Sequence, residues 1–403
     1  IPSARLPSSM RGNTFGSLFR LSTFGESHGP AIGGVLDGCP AGMRLDPTAI
    51  QVELDRRRPG GTPLGTSRTE TDAVEFLSGM IADPEAIHRS DQKTLGTPIA
   101  FLIRNADARS HDYDQLKDVY RPGHADLTWE AKFGLRDHRG GGRSSARTTA
   151  ACVVGGAIAR QLLASEGIEV DAYVSRVGEV ALETPVEQLD LSGRWNDPVR
   201  CPDPATAKRM AAFIEQVRSE GDSIGGVVSC VVRGVPPGLG EPVFDKLEAD
   251  LAKAMLSINA CKGFQIGNGF GAAHLRGSEN NDAFAPGYRR DPEVRIDPYT
   301  VSRAAIRTET NRSGGVLGGI SNGEDLLFEV AFKAPSTIAK AQRTVNTNGE
   351  AITLEASGRH DPCVVPRAVP IVEAMTCLVL ADHLLRHRTS RVGPPVVIGA
   401  VEG

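Results

Sequence analysis

The stretch Phe133–Ala151, FGLRDHRGGGRSSARTTAA, holds four arginines (Arg136, Arg139, Arg143 and Arg147), one histidine, three consecutive glycines and two serines. The chain as a whole, 403 residues long, nevertheless carries a formal net charge of -4. A glycine run lets the backbone curl until several N–H groups face one point. A helix that starts at the serines adds unpaired N–H groups and the positive end of its dipole. Arginine forks beside such a turn suit phosphate or carboxylate oxygens. A lone Arg-Ser-Ser has a plainer reading, a capped helix with solvated arginines. The density of Arg and Gly together favours an anion site.

Working outward, the pattern predicts a helix from about Ala146 to Ser165, closed by Gly167. Asp46-Pro47 opens another, with Asp as N-cap and Pro in the first turn, and Arg58-Pro59-Gly60 ends it. Phe244, Leu247, Leu251 and Met255 mark a third helix, and Val369 to Arg386 a fourth. Between them lie β-rich runs, among them Gly226–Arg233 and Leu326–Lys333. Gly-Gly-Val begins three stretches, at Gly33, Gly225 and Gly314, which hints at duplicated strand units.

Composition sets the outer bounds. Hydrophobic residues make up 40% and charged residues 23%, the balance of an ordinary globular chain with ample core material. A pI near 6.2 argues against a dedicated nucleic-acid binder and directs the arginines toward a small anion. The longest apolar stretch, Ala374 to Ala381, falls far short of the roughly 20 residues of a membrane span. The 7 cysteines contain no CxxC pair and fit free thiols in a reducing compartment. Residues 1–9 read as a tag remnant or disordered extension, and no low-complexity linker or domain seam divides residues 10–403.

His28 in FGESHG sits where a core histidine has nothing large to pack on, and His124 in RPGHAD follows Pro-Gly in a loop; for any single histidine a structural role is the commoner one. The segment GRHDPC places Arg359, His360 and Asp361 just ahead of Pro362. Arg56-Arg57-Arg58 lies at a predicted helix C-terminus, where the dipole favours cations whatever their function. No metal-binding spacing, nucleophile elbow or P-loop is present. GNGFGA, from Gly267 to Ala272, fits the loose dinucleotide pattern, but no amphipathic helix follows it.

These segments resemble the chorismate synthase family. FGESHGPAIGGVLDGCP (Phe24–Pro40), GGGRSSARTTAA and GRHDPCVVPRAVPIVEAM (Gly358–Met375) are similar to that family's three signatures, in the family's order. RPGHADLTWEAKFGLRDHRGGGRSSAR, INACKGFQIGNGF and RSGGVLGGISNG resemble further blocks, so the likeness runs from about Gly12 to Arg386. It implies an α+β fold, with antiparallel sheets and helices in a β-α-β sandwich core with internal duplication, and a homotetramer in the cytoplasm. It also implies a lyase that converts 5-enolpyruvylshikimate 3-phosphate to chorismate and phosphate by 1,4-anti elimination, the last step of the shikimate pathway toward aromatic amino acids. Reduced FMN is required without net redox change, and NADPH is a candidate electron source for it. No nucleic-acid or membrane partner is implied. The rival reading is an NAD(P)H:flavin reductase, which would share the flavin site.

By the same resemblance, His28 would protonate the departing phosphate, His124 would protonate the reduced flavin, and Asp361 would act as a base at the flavin's central ring nitrogen. The FMN contacts would be Arg143, Ser144, Ser145, Asn259, Ala260, Gly318, Lys333, Ala334, Pro335, Ser336, Thr337 and Arg359. Arg57 matches an arginine that contacts substrate or the nicotinamide cofactor. Three departures stand out. Pro63 replaces a second arginine, with Arg68 as a substitute. Thr148 and Cys152 replace a Glu–Arg helix pair whose restoration is expected to stabilise the helix slightly. Phe284 to Arg307 is a longer polar insertion than a compact member needs.

Overall fold

The computed structural model describes residues 12–58, 64, 72–82, 92–105, 113, 115–286, 306–355 and 361–390. Its two largest sheets each have five strands, and every neighbouring pair is antiparallel. Across the first sheet the order is Thr14–Phe15, Arg20–Phe24, Ala31–Asp37, Ile99–Arg104, Val74–Phe76. Across the second it is Val180–Ala181, Glu169–Val177, Gly226–Arg233, Leu326–Phe332, Cys261–Ile266.

The described helices are α1 (Pro47–Arg57), α2 (Asp126–Phe133), α3 (Thr149–Ser165), α4 (Pro204–Ser219), α5 (Leu247–Leu256), the single turn α6 (Gly277–Asn280) and α7 (Val365–His387). Leaving aside the two-residue edge strands, each sheet arranges its four main strands first-second-fourth-third in chain order. In both halves a helix, α1 or α5, follows the second strand, and another, α3 or α7, follows the fourth. This shared plan is the internal duplication, with α4 an addition to the second half.

α3 and α7 pack on each other, α3 also on the first sheet and α7 also on the second, which produces the sheet–helix–sheet sandwich. Helices enclosed in this way must be apolar all round rather than on one stripe. Twelve of the 17 residues of α3 are buried, and so is every residue of α7 from Val365 to Leu384 except Arg367. By length and composition α7 is the one described helix able to cross a membrane. Here it is the central beam of the core, and Glu373, Asp382 and His383 are charged or titratable residues buried along it.

α1 begins as the sequence indicates, with the Asp46 carboxylate accepting from Thr48 N at 2.8 Å and Pro47 in the first turn. α3 begins later than expected. Gly142–Ser144 and Ala146–Thr148 form two 3₁₀ turns, and the α-helix proper starts at Thr149. Thr148 therefore lies ahead of the helix, its hydroxyl bonded to Ser145 O at 2.9 Å. Cys152 is half-buried. Burial pushes its thiol up to about 11 against the opposing pull of Arg143 and Arg57. An arginine placed there would add a third cation to that neighbourhood, which opposes the stabilisation expected from a rebuilt Glu–Arg pair.

Two of the three Gly-Gly-Val stretches occupy equivalent places. A Cβ on Gly33 would lie 2.4 Å from Phe101 O, and one on Gly225 2.3 Å from Phe332 O, in each case on the fourth strand of the same sheet. The third leads only into the small hairpin Val316–Leu317 with Ile320–Ser321. Phe284–Pro286 pairs with Ile306–Thr308, while residues 287–305 of the insertion, along with Pro63 and Arg68, lie outside the described residues.

α3 and α7 approach closely at Gly156, where a Cβ would sit 2.4 Å from Ala374 Cα and 2.5 Å from its carbonyl oxygen. Gly156→Ala is expected to destabilise the protein by about 1–2 kcal/mol. The overpacking cost of about 1–3 kcal/mol, raised by a backbone that cannot rotate away, outweighs the helix-propensity gain of about 1 kcal/mol. At neighbouring Gly155 the first atom met is the end of the Leu21 side chain at 2.9 Å, so Gly155→Ala should cost less. Denaturant midpoints for the two variants check the order, and equal values would show that the helices can slide apart freely.

Candidate active site

The glycine run lies under both candidate histidines. Gly140, Gly141 and Gly142 have φ of +61°, +81° and +53°, left-handed backbone that glycine adopts without strain. A Cβ on Gly140 would lie 2.2 Å from His28 Cε1, and one on Gly141 3.1 Å from His124 Cε1. Two imidazoles from separate loops thus rest on consecutive glycines, which explains why no side chain is present there. Gly140→Ala is expected to push His28 off its position and cut turnover by roughly 10²-fold, the effect of about 1 Å of misplacement at a reacting group. Normal kcat in a folded Gly140→Ala variant would show that His28 need not sit there.

His28 belongs to the loop that joins the first two main strands of the first sheet. Its Nδ1 is 3.1 Å from Ser27 Oγ, and its ring meets Tyr113 edge-on at 5.0 Å. His124 lies in the turn ahead of α2, with Nδ1 3.1 Å from Asp126 Oδ1 and 3.0 Å from Arg121 Nη2. Burial alone would raise the Asp126 carboxyl, but hydrogen bonds and charges from Arg121 and His124 outweigh it and hold the group far below the ordinary carboxylate range. Asp126, Arg121 and Ser27 escaped sequence reasoning, although Arg-x-x-His-x-Asp in RPGHAD was the available signal.

Ser144 Oγ closes onto Gly141 O at 2.6 Å, and Ser145 Oγ accepts from Arg147 N at 3.3 Å. Asn259 donates to Ser144 O at 2.8 Å, which ties the end of α5 to the glycine loop. Ala260 has φ +67°, and its carbonyl accepts from Lys333 N at 2.9 Å. The run Lys333–Thr337 reaches the His124 turn. A Cβ on Gly123 would lie 3.1 Å from Ser336 Cβ and 3.9 Å from Lys333 Nζ. Pro335 O accepts from Ser223 Oγ at 2.6 Å, Ala334 N lies beside Gly225, and Thr337 is half-buried.

Asp361 pairs with Arg367 just ahead of α7. It lines a cavity of about 100 Å³ with Arg57, Asn259, Ala260 and Arg367, among others. Arg57 is 2% exposed and bonded to Asp72, Thr149 Oγ1 at 3.2 Å and Ala146 O at 2.7 Å, so it enters that cavity as an anchored wall. Gly318 is not brought to the others within the chain. Its hairpin packs at the N-terminal end of α5, where Leu247 N bonds Gly319 O, whereas Asn259 follows the C-terminal end. It also lies beyond the Leu326 end of a seven-residue strand whose other end leads to Lys333, a span of about 20 Å. Arg359 lies outside the described residues.

The arginines of the opening stretch act differently from the expectation. Arg136 pairs with Glu130, Arg139 with Asp137, and Arg147 with Asp72, so they brace the loops around the glycine run. Arg143 is the exception, held by the neutral oxygens of Gly25, Thr23 and Asn13. Among the described residues, neither Arg143 nor Lys333 has a carboxylate partner. Burial, with Lys262 nearby, pushes the Lys333 amine down. Two cations without a carboxylate partner thus stand by the glycine run and the His124 turn, while Asp126 balances the charge at His124 itself.

The chorismate synthase family model matches residues 19–385. The chain belongs to the chorismate synthase family. It is a lyase. Chorismate synthase of Christiangramia forsetii is 52% identical over 383 residues, which is 95% of this chain and 100% of that protein. Chorismate synthase of Parabacteroides distasonis is 54% identical over 94% of this chain and 99% of its own. A chorismate synthase crystal structure superposes with a TM-score of 0.68 at 30% identity, covering 92% of this chain and 93% of that one. The family fold is therefore the duplicated sandwich described above, and the α+β expectation holds.

Proposed function

We propose that the chain converts 5-enolpyruvylshikimate 3-phosphate to chorismate and phosphate by 1,4-anti elimination, with reduced FMN bound beside the glycine run. The observation that carries this reading is the seating of His28 and His124 on consecutive glycines, next to cations that lack a carboxylate. The residues fit a flavin phosphate. Arg143 and Lys333 supply uncompensated charge, and Ser144, Ser145, Asn259, Ala260 and Ser336 supply short polar walls. Ala334, Pro335 and Thr337 complete that wall; Arg359 and Gly318 belong to the reading only by resemblance. When bound, reduced FMN supplies the transient electron density that no side chain can lend.

The chain's own groups do the rest. A histidine beside phosphate is favoured as imidazolium, so His28 would hold a proton for the departing phosphate. His124 would hold one at Nε2, and the Asp361 carboxylate would take one up, with Arg367 and the cavity wall at Arg57 fixing its place. Exposed Phe244, Phe270 and Phe284, at 91%, 82% and 68%, support assembly of several copies, in keeping with a homotetramer. The 7 free cysteines support a cytoplasmic setting, with NADPH a source of electrons for the flavin.

The test is an anaerobic reaction with one equivalent of reduced FMN and excess 5-enolpyruvylshikimate 3-phosphate, following chorismate and flavin absorbance together. Many chorismates per flavin, with the flavin still reduced at the end, is the expected result. No chorismate in that mixture, together with NADPH-dependent reduction of added oxidised FMN, would point to a flavin reductase and overturn the lyase mechanism.

A further inference from the structure

His124 Nδ1 has two neighbours that cannot both bond it at once. Arg121 Nη2, at 3.0 Å, can only donate, and the Asp126 carboxylate, at 3.1 Å, can only accept. An unprotonated Nδ1 therefore bonds Arg121, and a protonated one bonds Asp126. The carboxylate is fixed independently of the ring. Arg121 grips it through Nε to Oδ2 and Nη2 to Oδ1, both 2.8 Å, and Arg121 N adds a bond of 3.1 Å. Asp126 is 4% exposed at the first residue of α2, and Arg136 Nη1 stands 3.7 Å from Oδ1. The opposite side of the ring, Cε1 and Nε2, faces Gly141, where a Cβ would lie 3.1 and 3.6 Å away.

We propose that Asp126 is the positioning residue of His124: it keeps the proton on Nδ1, so that the proton exchanged in the site is always the one on Nε2. This rests on His124 being a proton donor. The balance is simple. The imidazolium gives up Nε2–H and becomes a neutral ring with Nδ1–H still on Asp126, and a proton from solvent restores Nε2. Without the carboxylate, Arg121 captures the bare Nδ1 and the neutral ring takes the other tautomer. A second proton must then enter beside a cation. Asp126 is the one carboxylate among the described groups placed here against the ring and its turn. The cations are Arg121 from the same turn, Arg136 from beyond α2 and Lys333 near Gly123. Its removal leaves Arg121 and Arg136 against that position, with Glu130 beyond, paired to Arg136 at 3.0 Å.

The experiment uses the full chain with reduced FMN and substrate, comparing wild type with Asp126→Asn. In the variant the pH above which kcat/KM falls is expected to move about one unit to acid, because loss of the adjacent anion disfavours imidazolium. The dissociation constant for FMN should stay within about twofold. Profiles that superimpose, whatever the drop in kcat, would overturn the proposal, since a purely structural role predicts that outcome. Wild-type protein labelled with ¹⁵N-histidine gives an independent reading if Asp126→Asn does not fold, with the His124 signal identified by its loss in His124→Gln. A neutral ring protonated at Nδ1 supports the proposal, and one protonated at Nε2 overturns it. Neither tautomer depends on chorismate being formed, so failure of the proposed reaction would be seen separately, in the wild-type assay.

Discussion

His28→Ala and His124→Ala are each expected to slow chorismate formation by about 10²–10⁴-fold, the usual contribution of one general acid or base. The structure gives a reason to expect folded variants. Both rings lie on glycine backbone at the edge of the core, and neither residue belongs to the main buried cluster. The loss should therefore appear in kcat, with FMN affinity nearly unchanged. Rapid-mixing measurement of chorismate formation under anaerobic conditions decides it. Wild-type turnover in either variant would remove that histidine from the chemistry, and loss of FMN binding would make it a binding group instead.

Asp72→Asn carries the largest expected stability cost. Asp72 is 1% exposed and stands between two buried guanidiniums, Arg57 at 3.3 Å and Arg147, which are 2% and 8% exposed. An amide keeps the shape but removes the negative charge that faces both guanidiniums. Breaking a buried pair in this way costs about 3–5 kcal/mol, far more than the pair itself contributes over an apolar replacement. Urea denaturation at neutral pH measures it. A loss below about 1 kcal/mol would show that water reaches the guanidiniums. Because Arg57 also walls the Asp361 cavity, substrate affinity should fall in the same variant.

Local signals in the sequence were reliable where the physics is local. Asp46-Pro47 and Arg58-Pro59 bound α1 because capping and the missing proline N–H act within one turn. α7 starts at Val365, four residues ahead of the Val369 that the apolar run indicates. Pro366 costs no hydrogen bond in the first turn, and burial of the whole helix outweighs the bond lost at Pro370. The histidines were legible by their small, loop-forming neighbours, although His28 does pack edge-on against Tyr113. What faces them was not, because Gly140 is 112 residues from His28. Charge was counted but not paired, since Asp72 lies 75 residues from Arg147. The order of motifs likewise gave no hint that Gly318 sits at the far end of the second sheet.

The first half of the duplicated fold carries His28, His124 and the glycine loop; the second carries Asn259, Ala260, the Lys333 run and Asp361. The two copies of one ancestral plan have thus divided the labour, and neither holds a complete set of tools. In the proposed reading a flavin would be a clasp across the joint, with the α3–α7 seam the hinge pin behind it. Loosening that seam would spread the two sets apart while each sheet stayed intact, so catalysis should fail before folding does.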